Sequence, residues 1–315
     1  MADLAIVVVS HNSRPWLGAC LSSLADHAEG VTLDVVVVDN ASTDGSAEFV
    51  EAHHPEARVL RRANRGFASG NNEGLRTVDA PYVLLLNPDT EILHGQFADL
   101  IATLRDHPDV GLVGVRQVTA DGTLWPTIRY FPSPVRAACQ ALGSERWPRR
   151  RRWMGERELD LSAYDRATDC DWTSGSFLLA RREALLSTGL LDERFFLFSE
   201  ETDLCLRMRG AGWRIQHVPA MTIVHHAGKA GVTPKLVAQD AYTRRQYARK
   251  HFTGPQRTLY LSALGTGHVL RALAPAGDGG ERRQAARLAL ATLAGRSAPP
   301  FAPPPPTAVR VDARD

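Results

Sequence analysis

Two apolar runs in this chain stop abruptly at carboxylates. Leu33-Asp34-Val35-Val36-Val37-Val38 ends at Asp39, and Val83-Leu84-Leu85-Leu86 ends at Asn87-Pro88-Asp89-Thr90-Glu91. A short apolar run with such an ending reads as a strand buried on both faces, the kind found in parallel sheets. Pro88 cannot donate a ladder hydrogen bond, so pairing ends there and Asp89 stands at the strand's C-terminal end. In open α/β sheets ligands bind at that edge. A hard divalent cation held by one or two carboxylates and by substrate phosphates suits such a position; a cap on the next helix suits it equally. Further on, Glu200, Glu201 and Asp203 crowd the first turn of a helix, where the dipole favours them. Crowding also raises the pKa of at least one carboxylate, as a general base requires. His225 and His226 follow a strand, where either could be structural or a ligand.

The elements that must hold these groups alternate. Strand Leu4 to Val9 runs into Ser10-His11-Asn12-Ser13, and Pro15 opens a helix carrying Trp16, Leu17, Cys20, Leu21 and Leu24 at helical spacing. After Asp39, Ser42, Thr43, Asp44 and Ser46 offer caps for a helix near Ala47 to Ala52. Val59-Leu60 is a short strand. Next comes Asn64-Arg65-Gly66-Phe67-Ala68-Ser69-Gly70-Asn71-Asn72-Glu73-Gly74, whose evenly spaced glycines suit a helix that starts close to something flat or charged. It is neither a Rossmann fingerprint nor a P-loop. This β-α-β-α order predicts a mainly parallel sheet with helices on both sides. Later expectations are a helix from Gly95 to Asp106, a strand from Val110 to Val115 and a turn at Asp121-Gly122. Periodicity fades from Ile128 to Tyr164. It returns as a strand and helix within Asp171 to Arg182, then as two strands, Ile215 to Val218 and Met221 to Val224. Residues 1–232 form the main domain by this reading, and 233–274 a helical extension with basic faces. Residues 275–315 form a largely disordered Ala/Pro-rich tail with one candidate helix, Glu281 to Leu293.

Composition excludes several classes. Lys plus Arg is 37 against 35 for Asp plus Glu, so the chain has no polyelectrolyte character and nucleic acid is not an expected partner. Four scattered cysteines without a C-x-x-C pair read as reduced thiols in a cytoplasmic protein. The run Leu4 to Val9 is too short for a signal peptide, and no stretch is long and apolar enough to span a membrane.

Taken together, the blocks Val9-Ser10-His11-Asn12, Val38-Asp39-Asn40-Ala41-Ser42-Thr43-Asp44-Gly45, Asn64 to Asn72, Asn87-Pro88-Asp89, Asp171-Trp172-Thr173-Ser174-Gly175, Glu200 to Leu204 and His225 resemble the family 2 inverting glycosyltransferases of GT-A fold, rhamnosyltransferase-like branch. They stand in the family's order over about residues 4 to 230. The resemblance implies an α/β GT-A fold and Mg2+ or Mn2+ as cofactor. It makes Asp89 the last acid of the metal-binding D-x-D, with Asn87 in the first acid's place, and His225 the histidine near metal and diphosphate. Ser10, Asn12, Asp39, Asn64, Arg65, Gly66, Asn71 and Asn87 become contacts to the nucleotide sugar. Trp172, Gly175 and Glu200 become the acceptor side. Glu201, in place of the more common aspartate, is the base, with Asp203 as competitor.

The same branch implies dTDP-L-rhamnose as donor (a UDP-sugar is the alternative) and a glycan or polyprenyl-diphosphate-linked sugar as acceptor. Two stretches fit a lipid-linked acceptor at the cytoplasmic leaflet: Arg146-Trp147-Pro148-Arg149-Arg150-Arg151-Arg152-Trp153, and the basic, aromatic segment from Tyr242 to Leu273. A solvated basic loop is the plain alternative. A non-catalytic nucleotide-sugar or partner-binding protein on the same fold also stays open. A sugar nucleotidyltransferase is disfavoured, because Ser10-His11-Asn12-Ser13-Arg14-Pro15 contains no glycine.

Overall fold

The computed structural model describes residues 2–147, 151–226, 233–273 and 280–301. In chain order the strands are β1 (Leu4–Ser10), β2 (Leu33–Asn40), β3 (Arg58–Arg62), β4 (Tyr82–Leu86), β5 (Thr90–His94), β6 (Val110–Val118), β7 (Thr168–Cys170), β8 (Phe177–Arg181) and β9 (Arg214–His225). The helices are α1 (Arg14–Asp26), α2 (Ser46–His53), α3 (Phe67–Leu75), α4 (Phe97–Asp106), α5 (Pro134–Ala141), α6 (Arg182–Ser187), α7 (Glu200–Gly210), α8 (Pro234–His251), α9 (Gly254–Leu273) and α10 (Glu281–Leu293).

One sheet runs β3-β2-β1-β4-β8-β6-β9-β5, with β7 beside β9. The first four strands in this order are parallel, as the β-α alternation requires. β8 is antiparallel to both β4 and β6, β6 and β9 are parallel, and β5 and β7 lie antiparallel on β9. The half beyond β4 is therefore mixed. The two strands expected at 215–218 and 221–224 are one strand, β9. Its register against β6 shifts between Val218 and Thr222, where Pro219 lacks the N–H that regular pairing needs.

Strand alternation divides the core between the two faces of the sheet. Ile6, Val8, Val35, Val37, Leu84 and Leu86 face α1, α2 and α4, while Ala5, Val7, Val36, Val38, Val83 and Leu85 face α3, α6 and α7. With period 2, a strand covered on both faces has to be apolar throughout. A further helical layer is held on α7. Within it α10 packs on α8 through Ala241, Ala289 and Leu293, and Ala137 of α5 packs on Tyr260 of α9. The candidate helix in the Ala/Pro-rich segment thus exists and is packed; residues 302–315 lie outside the described residues.

The glycines of α3 serve the sheet. A Cβ at Gly70 would meet Val9 and Asn40, and one at Gly74 would meet Val7 and Val38. Their absence lets the helix lie close on β1 and β2, so the flat object implied by the spacing is the sheet face. Gly66 has φ +98°, and a Cβ there would overlap the Phe196 carbonyl, which accepts a 2.7 Å hydrogen bond from Phe67 N.

Candidate active site

The C-terminal ends of β1 and β2 carry two unsatisfied polar atoms. Ser10 and Asp39 are register partners, and Ser10 Oγ and Asp39 Oδ1 are both buried without a hydrogen-bond partner. Asp39 Oδ2 accepts from Ser42 N at 3.1 Å. Buried polar atoms are seldom left unpaired, so the free acceptor and hydroxyl fit a ligand that brings its own N–H and carbonyl. The loops beside them are tied together: Asn12 Oδ1 accepts from Thr43 N at 2.8 Å and Asn12 N donates to Ser42 Oγ at 2.9 Å. Asn12 and Ala41 hold φ of 53° and 57°; such strain gathers at functional edges. Asn64 Oδ1 accepts from Gly66 N at 3.0 Å, and Arg65 is exposed. Asn71 and Gly66 lie deeper than these groups. Asn71 is wholly buried, its Nδ2 donating to Phe67 O and its Oδ1 left without a partner, as at Ser10 and Asp39, while the backbone that approaches Gly66 belongs to Phe196.

At the end of β4, Asn87 N donates to Ser176 O at 3.0 Å, and Thr90 Oγ1 closes the turn on Asn87 O at 2.7 Å. Asp89 Oδ1 and His225 Nε2 stand 3.4 Å apart, brought together by the Thr90↔His225 register of β5 and β9. His226 is turned aside: it stacks on Trp16 at 5.0 Å, and its Nε2 lies 3.6 Å from Glu91. That distinguishes two histidines which the sequence leaves interchangeable. A divalent ion about 2.1 Å from both oxygen and nitrogen would fit between Asp89 and His225 with little movement. No third His, Cys, Asp or Glu joins them among the described residues, so phosphate oxygens or water would have to complete the shell. The pair fits a metal that arrives with a phosphorylated ligand.

The third group lies at the start of α7. Phe198 and Ser199 enter it with φ of 72° and 68°, both unusual for residues with side chains. Glu201 then lines a cavity of about 160 Å³ with Arg129, Trp172, Ser174, Glu156, Arg244 and Tyr260. A methyl group at Gly175 would stand 3.6 Å from Glu201 Cδ, so the 171–176 loop lies directly on this carboxylate. The same loop bonds Asn87 through Ser176, which links the Glu201 cavity to the Asp89 edge. Burial raises the Glu201 pKa, partly opposed by the Arg129 charge. Burial and the Glu201 charge together hold Glu200 well above the usual carboxylate range. One oxygen of each is buried without a partner.

Asp203 is a different kind of group. It is fully buried and accepts from Arg207 Nε at 2.8 Å and His251 Nε2 at 2.7 Å, with Lys250 Nζ at 2.5 Å. Burial works to raise its pKa, but His251, Lys250 and Arg207 more than offset that and hold it low. As a strap between α7 and α8, it has both oxygens engaged by cationic side chains, which sets it apart from Glu201. Trp172 Nε1 donates to Tyr130 O at 3.1 Å, and one side of the indole faces the cavity.

Sequence reasoning missed Arg129, Glu156 and Arg244. The first two lie in the aperiodic stretch, where nothing in the pattern says which side chains turn inward. Arg244, Tyr247 and Tyr260, read as part of a membrane-facing segment, are cavity residues. Arg244 pairs with Glu156 and Asp240 at 3.0 Å each, and Tyr247 and Tyr260 are buried. Of the Arg146–Trp153 cluster, Pro148, Arg149 and Arg150 lie outside the described residues. Arg152 pairs with Glu158 at 2.8 Å, and Trp147 and Trp153 are exposed.

Comparison with known proteins identifies the family. The profile of glycosyl transferase family 2 matches residues 5–182. An N-acetylglucosaminyl-diphospho-decaprenol L-rhamnosyltransferase of Mycobacterium tuberculosis is 31% identical over 235 residues, 71% of this chain and 76% of that protein. Rhamnosyltransferase WbbL of Escherichia coli K12 is 23% identical over 236 residues, 70% of this chain and 83% of that protein. Among solved structures, the mannosyltransferase PcManGT of Pyrobaculum calidifontis, in complex with GDP-Man and Mn2+, superposes with a TM-score of 0.54 at 19% identity. That match covers 95% of this chain and 82% of the other. Staphylococcus aureus TarS 1–349 in complex with UDP does so with a TM-score of 0.52 at 14% identity, covering 92% and 88%. These neighbours share the GT-A fold, and with the profile match and the 31% relative they establish the class: the chain is an enzyme of glycosyl transferase family 2.

Proposed function

We propose that this enzyme is a metal-assisted inverting transferase that moves L-rhamnose from dTDP-L-rhamnose to a polyprenyl-diphosphate-linked sugar in cell-envelope polysaccharide synthesis. The observation that carries the mechanism is Glu201, a carboxylate of raised pKa with one oxygen unpartnered, in a cavity joined through Gly175, Ser176 and Asn87 to the Asp89–His225 pair. The rhamnosyl group and the polyprenyl-diphosphate acceptor are supported by the activity of the 31% identical relative; dTDP as the donor's nucleotide is what the rhamnosyltransferase-like resemblance implies.

In this reading the nucleotide base meets Asp39 and Ser10, with Asn12, Asn64, Arg65 and Asn87 along the nucleotide sugar. Asp89 and His225 would hold a Mn2+ or Mg2+ ion, which when bound would neutralise charge on the leaving diphosphate. Glu201 takes the proton of the acceptor hydroxyl as its oxygen bonds to the sugar's C1. The C1–O bond to the diphosphate breaks on the opposite side, its electron pair leaving with the phosphate, so the anomeric configuration inverts. A base placed this way contributes about 10²- to 10⁴-fold. Trp172 and Gly175 wall the acceptor side, and Glu200 stands behind Glu201 with its charge suppressed.

Contact with the cytoplasmic leaflet is supported by exposed Val135, Leu142, Trp147 and Trp153 beside the basic cluster; among the described residues no helix is long and apolar enough to cross a membrane. Calorimetric titration with dTDP-rhamnose, UDP-glucose, UDP-GlcNAc and GDP-mannose, with and without Mn2+, tests the donor. Metal-dependent binding of dTDP-rhamnose alone supports the proposal; metal-dependent binding of a UDP-sugar instead replaces the donor and keeps the mechanism.

A further inference from the structure

Two guanidinium groups line the Glu201 cavity, and they are held differently. Arg244 pairs with both Glu156 and Asp240, 3.0 Å from each. Arg129 has no ion pair among the described residues, and its Nε is buried without a hydrogen-bond partner. Its backbone is fixed against Trp172, with Arg129 N donating to Trp172 O at 3.0 Å and its carbonyl accepting from Asp171 N at 3.0 Å. The guanidinium lies over the Trp172 ring at 5.5 Å. Arg157, across an isolated bridge from Arg129, adds a second positive charge, itself paired with Glu145. A buried N–H without an acceptor is costly, and the charges of Glu156 and Glu201 act on Arg129 without a hydrogen bond to its Nε.

We propose that Arg129 is the anchor for a phosphate of the acceptor, holding the diphosphate that links the acceptor sugar to its lipid while that sugar's hydroxyl faces Glu201. Resting on the lipid-diphosphate reading above, this assigns one of its charges to a named side chain. The guanidinium's planar donors match phosphate oxygens in pairs, as an ammonium's do not. Stacking on Trp172 holds the fork in place before the ligand arrives, and α5 with the exposed Trp147 and Trp153 offers apolar surface beyond it for the lipid. The phosphate would also supply the partner that Arg129 Nε lacks.

The test is equilibrium binding by calorimetry with two short probes: undecyl-diphospho-GlcNAc, and undecyl β-GlcNAc lacking the diphosphate. Wild type should prefer the diphosphate probe. Arg129→Met should lose that preference, with affinity for the diphosphate probe falling about 30- to 100-fold while the neutral probe changes by less than about threefold. Arg129→Lys, which keeps the charge and loses the fork, should lie between them, and its melting curve guards against simple unfolding. Equal losses for both probes would make Arg129 a structural or Glu201-tuning residue and overturn the proposal; so would a wild type that binds the two alike. Because the readout is binding, it stands even if the rhamnosyl donor is wrong, which the donor titration detects separately.

Discussion

Asp203→Asn separates the strap from the base. The substitution keeps the side chain's shape and removes a charge met by Arg207 at 2.8 Å, Lys250 at 2.5 Å and His251 at 2.7 Å in a fully buried site. Removing one partner of a buried pair costs about 3–5 kcal/mol. Lys250 keeps Asp192 at 2.7 Å, and Arg207 keeps the Leu190 carbonyl at 2.8 Å. The lower end, about 3 kcal/mol, therefore applies, and at about 2 °C per kcal/mol for a chain of this size the Tm should fall by about 6 °C. The sign with pH is fixed by the lowered folded pKa: the group's stabilisation is complete above the ordinary value of 3.8 and is lost as pH falls through the folded value. Wild type should thus lose stability on acidification more steeply than Asp203→Asn. Thermal melts between pH 3 and 7 read both effects, and turnover measured well below the melting range should stay within about threefold of wild type. An unchanged Tm together with a hundredfold or greater loss of turnover would refute this, moving the base to Asp203.

Three further outcomes follow from the same geometry. Asp89→Ala and His225→Ala should each weaken Mn2+-dependent donor binding by about tenfold or more while leaving metal-free binding nearly unchanged, as titration with and without EDTA would show. Glu200→Gln should raise the Tm at pH 7.5. Its pKa is raised in the fold, so the folded state holds the extra proton and wild-type stability falls as pH rises from 4.5 through the folded value; a melt series over pH 4 to 8 should show that slope reduced in the variant. Gly66→Ala should lower stability by about 2–3 kcal/mol, because it combines a positive φ with a collision against the Phe196 carbonyl. Urea titration measures it, and a change below about 0.5 kcal/mol would mean that the 195–198 segment yields easily.

What could be read from the sequence was whatever local periodicity encodes. Apolar runs covered on both faces gave β1, β2 and β4, and the carboxylates at their ends gave Asp39 and Asp89, because a parallel sheet puts strand C-termini on one edge. Side-chain partners across long separations were not legible. Nothing near Asp203 announces that Lys250 and His251 arrive from α8 to neutralise it, so it stood as a competitor to Glu201. Arg129 sits where hydrophobic period is lost, and only the return of the 171–176 loop turns it inward. Arg244 and Tyr260 looked like a basic, aromatic surface because composition is silent about which helix face is covered. The glycines of α3 were noticed for the right reason, close approach, but the object approached at Gly70 and Gly74 is the protein's own sheet.

The central claim is that Glu201 takes the acceptor's proton while donor binding depends on other residues. The measurement that tests it most directly is Glu201→Gln, assayed for rhamnosyl transfer to undecyl-diphospho-GlcNAc and for dTDP-rhamnose affinity in the same Mn2+ buffer. Turnover should fall by about 10²- to 10⁴-fold with donor Kd within about threefold of wild type. Turnover within tenfold of wild type, in a variant that still binds donor, would contradict it.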